Sequence, residues 1–239
     1  MSKPMIPWLH PHNFQFPNPS DALSEPNGLL AAGGDLSPSR LIKAYQNGIF
    51  PWFNEDDPIL WWSPDPRCIL HPDKIHISKS MKKVIRKGDF SFTFDHAFSD
   101  VIEACAGTRQ ETTGTWISPE IQAAYLKLHH LGVAHSVEVW REGSLIGGLY
   151  GLAMGKLFFG ESMFSYQENA SKIAFIALSR QLLEWGYPLI DCQIHNPHLQ
   201  SLGAEHIPRS VFLDYIKSHI HQDRGHEWVF KLDAASLLS

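Results

Sequence analysis

Residues 134–164, AHSVEVWREGSLIGGLYGLAMGKLFFGESMF, decide the fold. Residues 134–141 and 144–153 read as a hairpin, and Leu157–Phe164 returns beside it through Met154-Gly155-Lys156. Ala170, Ile173, Ala174, Ala177, Leu178, Gln181, Leu182 and Trp185 then keep helical spacing, with Gly186 as the cap that ends them. A strand, Leu189–His195, follows; Asn196-Pro197 opens a short helix, and Ser210–His221 forms the last one. Meander, long helix, strand, helix is an α+β order.

Working outward, residues 67–71 and 91–94 read as strands. Residues 78–87 read as a helix ending at Gly88, Asp95–Cys105 as another, and Ser118-Pro119 open a third that runs to about Leu131. The stretch from Met1 to Leu60 is rich in Pro, Gly, Asn and Trp. One helix stands out there: Ser37 can cap it, Pro38 fits its first position, and Gly48 closes it after Leu41, Ile42, Ala44 and Tyr45. Prolines cluster at Ser63-Pro64-Asp65-Pro66, so a boundary is predicted near residue 64, between a small N-terminal domain (1–64) and a larger one (65–239).

Composition narrows the function class. The chain is 44% hydrophobic and 19% charged, ordinary for a globular protein. A net charge of −5 confines any RNA binding to a local patch. Cys68, Cys105 and Cys192 are far apart and form no Cys-x-x-Cys, which fits a reducing compartment. Met1-Ser2-Lys3-Pro4 starts no apolar leader, and no apolar run is long enough to span a bilayer, so a cytoplasmic protein without a membrane partner is expected.

Three groups of residues carry chemistry. In Leu189-Ile190-Asp191-Cys192-Gln193-Ile194, strand alternation puts Asp191 and Gln193 on one face and Cys192 on the other. A carboxylate and an amide inside an apolar strand are costly unless hydrogen-bonded. The two therefore read either as a satisfied structural pair or as a pair that orients an amine and receives its proton. In the 78–87 helix, Lys79, Lys83, Arg86 and Lys87 share one face, opposite Met81, Val84 and Ile85. Like charges at this spacing weaken a helix, so the row points to phosphate, against the plainer reading of a solvated face. Of the eight tryptophans, Trp52 and Trp116 lie in turn-rich segments where a base can stack; Trp61, Trp62, Trp140 and Trp185 read as core. The glycines at 147, 148, 151, 155 and 160 form no phosphate loop, and the 14 histidines show no ligand spacing, so neither a cofactor nor a metal is predicted.

At these residues the sequence resembles the leucyl/phenylalanyl-tRNA–protein transferase family. The matching stretches include Gly33-Gly34-Asp35-Leu36-Ser37-Pro38, Gly48-Ile49-Phe50-Pro51-Trp52-Phe53, Leu60-Trp61-Trp62-Ser63-Pro64-Asp65-Pro66-Arg67, Gly114-Thr115-Trp116-Ile117, Gly160-Glu161-Ser162-Met163-Phe164-Ser165 and Ile190-Asp191-Cys192-Gln193, within about residues 14–216. The sequence departs from the family's pattern at Tyr166, at Leu199 and in a longer stretch at Gln110–Thr113. The resemblance implies a GNAT-like acyltransferase domain behind a small N-terminal α+β domain, acting as a monomer. It implies transfer of Leu or Phe, less often Met, from Leu-tRNA or Phe-tRNA to proteins beginning with Arg or Lys, marking them for degradation. It assigns Trp52 and Trp116 to the terminal adenosine, and Lys79, Lys83, Arg86 and Lys87 to the tRNA body. It assigns Leu149, Phe158, Met163, Phe175, Leu178, Leu182 and Ile190 to the amino-acid side chain, with Glu161 at the pocket's edge, and Asp191 and Gln193 to catalysis.

The aminoacyl ester is already activated, so aminolysis needs no nucleotide, in keeping with the missing phosphate loop. Gln193 is expected to orient the acceptor amine, and Asp191 to polarise Gln193. The alternative is an acetyl-CoA-dependent GNAT acetyltransferase. Its pyrophosphate loop would fall on Gln200-Ser201-Leu202-Gly203-Ala204-Glu205, which ends in a carboxylate that repels phosphate. A non-catalytic RNA-binding module would leave Asp191, Gln193 and the apolar pocket unexplained.

Overall fold

The computed structural model describes residues 6–110, 116–233 and 235–238. Residues 111–115, which hold most of the longer stretch and Gly114-Thr115 of the tryptophan motif, lie outside the described residues.

The first strands are short. β1 (Trp8–Leu9), β2 (Leu29–Gly33), β3 (Phe50–Pro51) and β4 (Leu60–Trp62) make one sheet in the order β1-β2-β4-β3, with α1 (Pro38–Tyr45) between β2 and β3. The sequence pattern predicts none of these strands: β1, β3 and β4 have only two or three residues, and β2, Leu29-Leu30-Ala31-Ala32-Gly33, shows no alternation of apolar and polar residues. α1 begins as predicted, with Pro38 at its first position.

The remaining elements are β5 (Arg67–Leu70), α2 (Lys79–Lys87), β6 (Ser91–Phe94), α3 (Phe98–Gln110), α4 (Pro119–His130), β7 (Ala134–Arg141), β8 (Ser144–Met154), β9 (Leu157–Ser165), α5 (Ala170–Glu184), β10 (Leu189–Gln193), α6 (Pro197–Ser201), β11 (Glu205–Ile207) and α7 (Arg209–His219). Their strands form a second sheet in the order β11-β5-β10-β9-β8-β7-β6. Every neighbouring pair in it is antiparallel except β10 and β9, which run parallel. The mixed α+β class is therefore observed, with two sheets and seven α-helices among the described residues.

The predicted meander is present, turning at Gly155, whose φ of 58° suits glycine and whose Cβ would come 2.1 Å from the His219 carbonyl oxygen. Several boundaries move, with α3 running on to Gln110 and α7 ending at His219. α3 starts at Phe98, not Asp95, because Asp95 takes a left-handed backbone (φ 61°) and its carboxylate accepts a hydrogen bond from Ser136 N at 2.8 Å. β10 ends at Gln193, not His195: its pairing with β5 slips between Asp191 and Gln193, and Gln193 has a φ of 58°.

Two apolar clusters sandwich the second sheet. One contains Tyr150, Leu152 and Phe159 together with the first sheet, α1, α3, α4 and α7; the other contains Val137, Leu149, Ala153 and Phe158 together with α2 and α5. The two sets alternate along β8, as a strand covered on both faces requires.

Candidate active site

β9 and β10 stay paired from Leu157↔Leu189 to Phe159↔Asp191 and then part. At the parting, Gln193 Nε2 donates to the Gly160 carbonyl oxygen at 2.6 Å. A side chain thus takes the acceptor that a continuing ladder would use. The space beyond is a cleft of about 410 Å³. Leu149, Phe158, Met163, Phe175 and Leu178 make its apolar floor; Glu161, Asp191 and Gln193 its polar end; and Phe50, Trp52 and Trp116 also line it. Trp52 is 41% exposed and lies against Trp62, whose ring centroid is 5.5 Å away.

The polar end is a linked network. Arg67 clamps Asp191 with two hydrogen bonds, Nε to Oδ1 at 2.8 Å and Nη2 to Oδ2 at 2.7 Å. Both side chains are buried, and the fork geometry is the strong form of a charge-assisted pair. The guanidinium also donates to the Gly48 carbonyl at 3.0 Å and lies 4.9 and 4.4 Å from the ring centres of Phe50 and Phe212. Asp191 Oδ1 further accepts from the backbone N of Gln193 at 3.0 Å. Asp191 thus meets Gln193 through the backbone, while the Gln193 amide lies between Gly160 and Glu161, 3.3 Å from Glu161 Oε1.

Glu161 gathers two tyrosines. Tyr45 Oη donates to its Oε1 at 2.7 Å, Tyr125 Oη to its Oε2 at 3.0 Å, and the two hydroxyls are 2.5 Å apart. Burial lifts the Glu161 carboxyl to about 8, against the pull of these two hydrogen bonds. Burial, with the charge of Glu161, raises both tyrosine hydroxyls well above their usual range.

Of the predicted side-chain pocket, Leu182 and Ile190 do not line the cleft; both are fully buried in the α5-side cluster. Lys79, Lys83, Arg86 and Lys87 are exposed on α2, away from the cleft lining. Met81 and Ile85 seat that helix, and Gly88 ends it. Ser78 Oγ caps it by accepting from Met81 N at 3.2 Å. Arg67, Tyr45 and Tyr125 join the site without having been assigned to it from the sequence, although Arg67 ends the matching stretch Leu60–Arg67. The available signal is Arg67 itself, a charge set at the head of the apolar strand Cys68-Ile69-Leu70. Ser162, His195, Asn196 and His198 also line the cleft. Gln200–Glu205 runs from the end of α6 into β11 and opens no helix, and Glu205 pairs with Lys74 at 2.9 Å. Among the described residues no cluster of His, Cys, Asp and Glu is placed to hold a metal, and no helix is long and apolar enough to cross a membrane.

Residues 69–217 match the family model described as leucyl/phenylalanyl-tRNA protein transferase, and residues 34–65 match that of the same family's N-terminal domain. The chain is 56% identical over 230 residues to a leucyl/phenylalanyl-tRNA–protein transferase of Hahella chejuensis (strain KCTC 2396), covering 96% of this chain and 98% of that one. It is 54% identical over 224 residues to the protein so named in Stutzerimonas stutzeri (strain A1501), covering 94% and 99%. Among solved structures, it is similar to L-PGS from Bacillus licheniformis at a TM-score of 0.40 and 13% identity, over 67% of this chain and 52% of that one.

Proposed function

The chain belongs to the leucyl/phenylalanyl-tRNA–protein transferase family, and on that premise we propose that its cleft joins the aminoacyl group of Leu-tRNA or Phe-tRNA to the N-terminus of an acceptor protein beginning with Arg or Lys. The observation that carries this reading is the cleft where β9 and β10 part: an apolar floor with the Gln193 amide at its polar end. The same parting of a parallel pair supports a GNAT-like domain from residue 65 onward, and the separate first sheet supports a small domain over 1–64.

In this reading the Leu or Phe side chain lies on the floor formed by Leu149, Phe158, Met163, Phe175 and Leu178, and the terminal adenine stacks on Trp52 and Trp116. Leu182 and Ile190 support the floor from beneath. The acceptor amine attacks the ester carbonyl, an amide bond forms, the ester C–O bond breaks and the ribose hydroxyl leaves with a proton. With its N–H group committed to Gly160 and Glu161, Gln193 offers Oε1 to an amine N–H and orients it. Asp191 positions Gln193 by holding its backbone, and Arg67 holds Asp191. The row of cations on α2 meets phosphates of the tRNA body. Gly203 and Glu205, at the end of a helix rather than its start, do not favour the acetyl-CoA alternative.

Labelled Leu-tRNA or labelled acetyl-CoA is offered with an Arg-starting peptide. The label is expected to move from Leu-tRNA, and a label that moves only from acetyl-CoA overturns the reading.

A further inference from the structure

Beyond α7 the chain carries a segment, residues 222–232, that the family match, ending at residue 217, does not reach. It has no helix or strand, yet its burial alternates. Arg224, His226, Trp228, Phe230 and Leu232 are half-buried, whereas residues 223, 225, 227, 229 and 231 are exposed. A period of two is what an extended chain shows when one side lies on a surface. The segment is tied down at several points: Lys231 N donates to Gln181 Oε1 at 2.7 Å, Arg224 Nη1 meets His135 Nε2 at 3.0 Å, and Lys156 Nζ donates to the Arg224 carbonyl.

Its central ring backs the cleft. Trp228 stacks on His135 with centroids 4.2 Å apart and lies 5.0 Å from Trp185. It also lies 5.8 Å from Phe158, with an angle of 9° between the two planes. Phe158 lines the cleft; Trp228 does not. A second element crowds the same ring, since a Cβ on Gly151 would come 2.7 Å from the Phe158 ring and 2.2 Å from the Phe159 carbonyl oxygen. The Trp228 indole N–H is buried without a hydrogen-bond partner among the described residues, so packing rather than hydrogen bonding sets its place.

We propose that Trp228 is a positioning residue that sets the depth of the side-chain pocket by fixing the ring of Phe158, so that this C-terminal strap helps to select which amino acid is transferred. The inference rests on the transfer reaction proposed above. Without the indole, Phe158 has room to retreat; the pocket deepens, Leu loses contact and larger side chains gain room. One methylene of fit in such a pocket is worth roughly 10–200-fold.

The test compares kcat/KM for Leu-tRNA and Phe-tRNA, with an Arg-starting peptide, in the wild type, Trp228→Ala and Trp228→Phe, well below each protein's Tm. The Phe-to-Leu ratio is expected to rise about tenfold in Trp228→Ala. Trp228→Phe, which keeps a flat ring and loses no hydrogen bond, restores the wild-type ratio. An unchanged ratio in folded Trp228→Ala overturns the proposal, whatever happens to its Tm. Should Trp228→Ala fail to fold, Trp228→Leu is read in the same way, with a smaller rise expected and an unchanged ratio again overturning it. If the wild type moves neither label, the transfer reading has failed. The strap is then judged by the relative affinities of leucinamide and phenylalaninamide for wild type and variant, and equal ratios overturn it.

Discussion

The floor of the cleft and its polar end differ in where their residues come from. Leu149, Phe158, Met163, Phe175 and Leu178 arise on β8, β9 and α5, which follow one another in the chain. Tyr45, Arg67, Tyr125, Glu161, Asp191 and Gln193 come from α1, β5, α4, β9 and β10, and the hydrogen bonds that join them span as many as 124 residues. A floor built from consecutive elements is set by local periodicity. A polar end built from distant ones exists only once the fold has closed around it, and every member depends on the others. Damage should therefore stay local at the floor and spread at the polar end.

The largest effect is expected at Asp191. Asp191→Asn keeps the shape but turns an N–H toward the Arg67 guanidinium and leaves that cation buried without its counter-charge. Breaking such a pair costs about 3–5 kcal/mol of stability. Because Gln193 is held through Asp191, transfer should also slow by about 10²–10³ in single-turnover experiments with saturating tRNA. Gln193→Ala should slow transfer by a similar factor with a much smaller loss of Tm. If Asp191→Asn melts early yet transfers at the wild-type rate, Asp191 is purely structural and the polar end is not a unit.

At the floor the matching test compares Leu178, which lines the cleft, with Leu182, one turn along α5 and fully buried. Either leucine to alanine should cost about 2–5 kcal/mol in urea unfolding. Only Leu178→Ala should change the ratio of Leu to Phe transfer. A changed ratio in Leu182→Ala would place that side chain functionally in the pocket, as the family resemblance implies.

The same contrast explains what is legible in the sequence. The meander, α5 and β10 are readable because apolar residues recur at regular spacing, and the family resemblance marks the floor residues on the meander and α5. Asp191 and Gln193 are readable as polar residues in an apolar strand, but the relation between them is not. Strand alternation puts them on one face, whereas the bulge at Cys192 and the left-handed Gln193 let the carboxylate reach a backbone N–H instead of the amide. Nothing local couples Arg67 to Asp191 or Tyr45 to Glu161. Leu182 and Ile190 are assigned to the pocket by the family resemblance, and packing leaves both outside the cleft lining.

A subtler test of the polar end uses pH. The Glu161 carboxyl is raised to about 8 in the fold from an ordinary 4.5. Below about 4.5 both folded and unfolded chains hold the proton, and the full stability is present. Between there and about 8 the unfolded chain releases it and the fold keeps it, so stability falls as pH rises and levels off above 8. Glu161→Gln lacks this titration. The Tm of the wild type minus that of Glu161→Gln should therefore decline from about pH 5 to 8, while contributions from other groups cancel in the difference. A flat difference would mean that the tyrosine hydrogen bonds outweigh burial and the carboxylate is ionised throughout.

The smallest expected effect lies outside the cleft, on α2. Its cations are exposed, so each contributes through counterion release rather than through a fixed geometry. About four phosphate contacts imply a log–log slope of tRNA affinity against salt of roughly −3 to −4. Lys83 is the cleanest single probe, because Lys87 already has Asp89 3.7 Å away. Lys83→Ala should flatten the slope by about one and raise KM for Leu-tRNA and Phe-tRNA alike, leaving kcat and the ratio between the two donors unchanged. That pattern would separate a surface that holds any tRNA from a cleft that chooses the amino acid. An unchanged slope would make the row a solvated face, which the like-charge spacing at Lys79 and Lys83 then leaves without a reason.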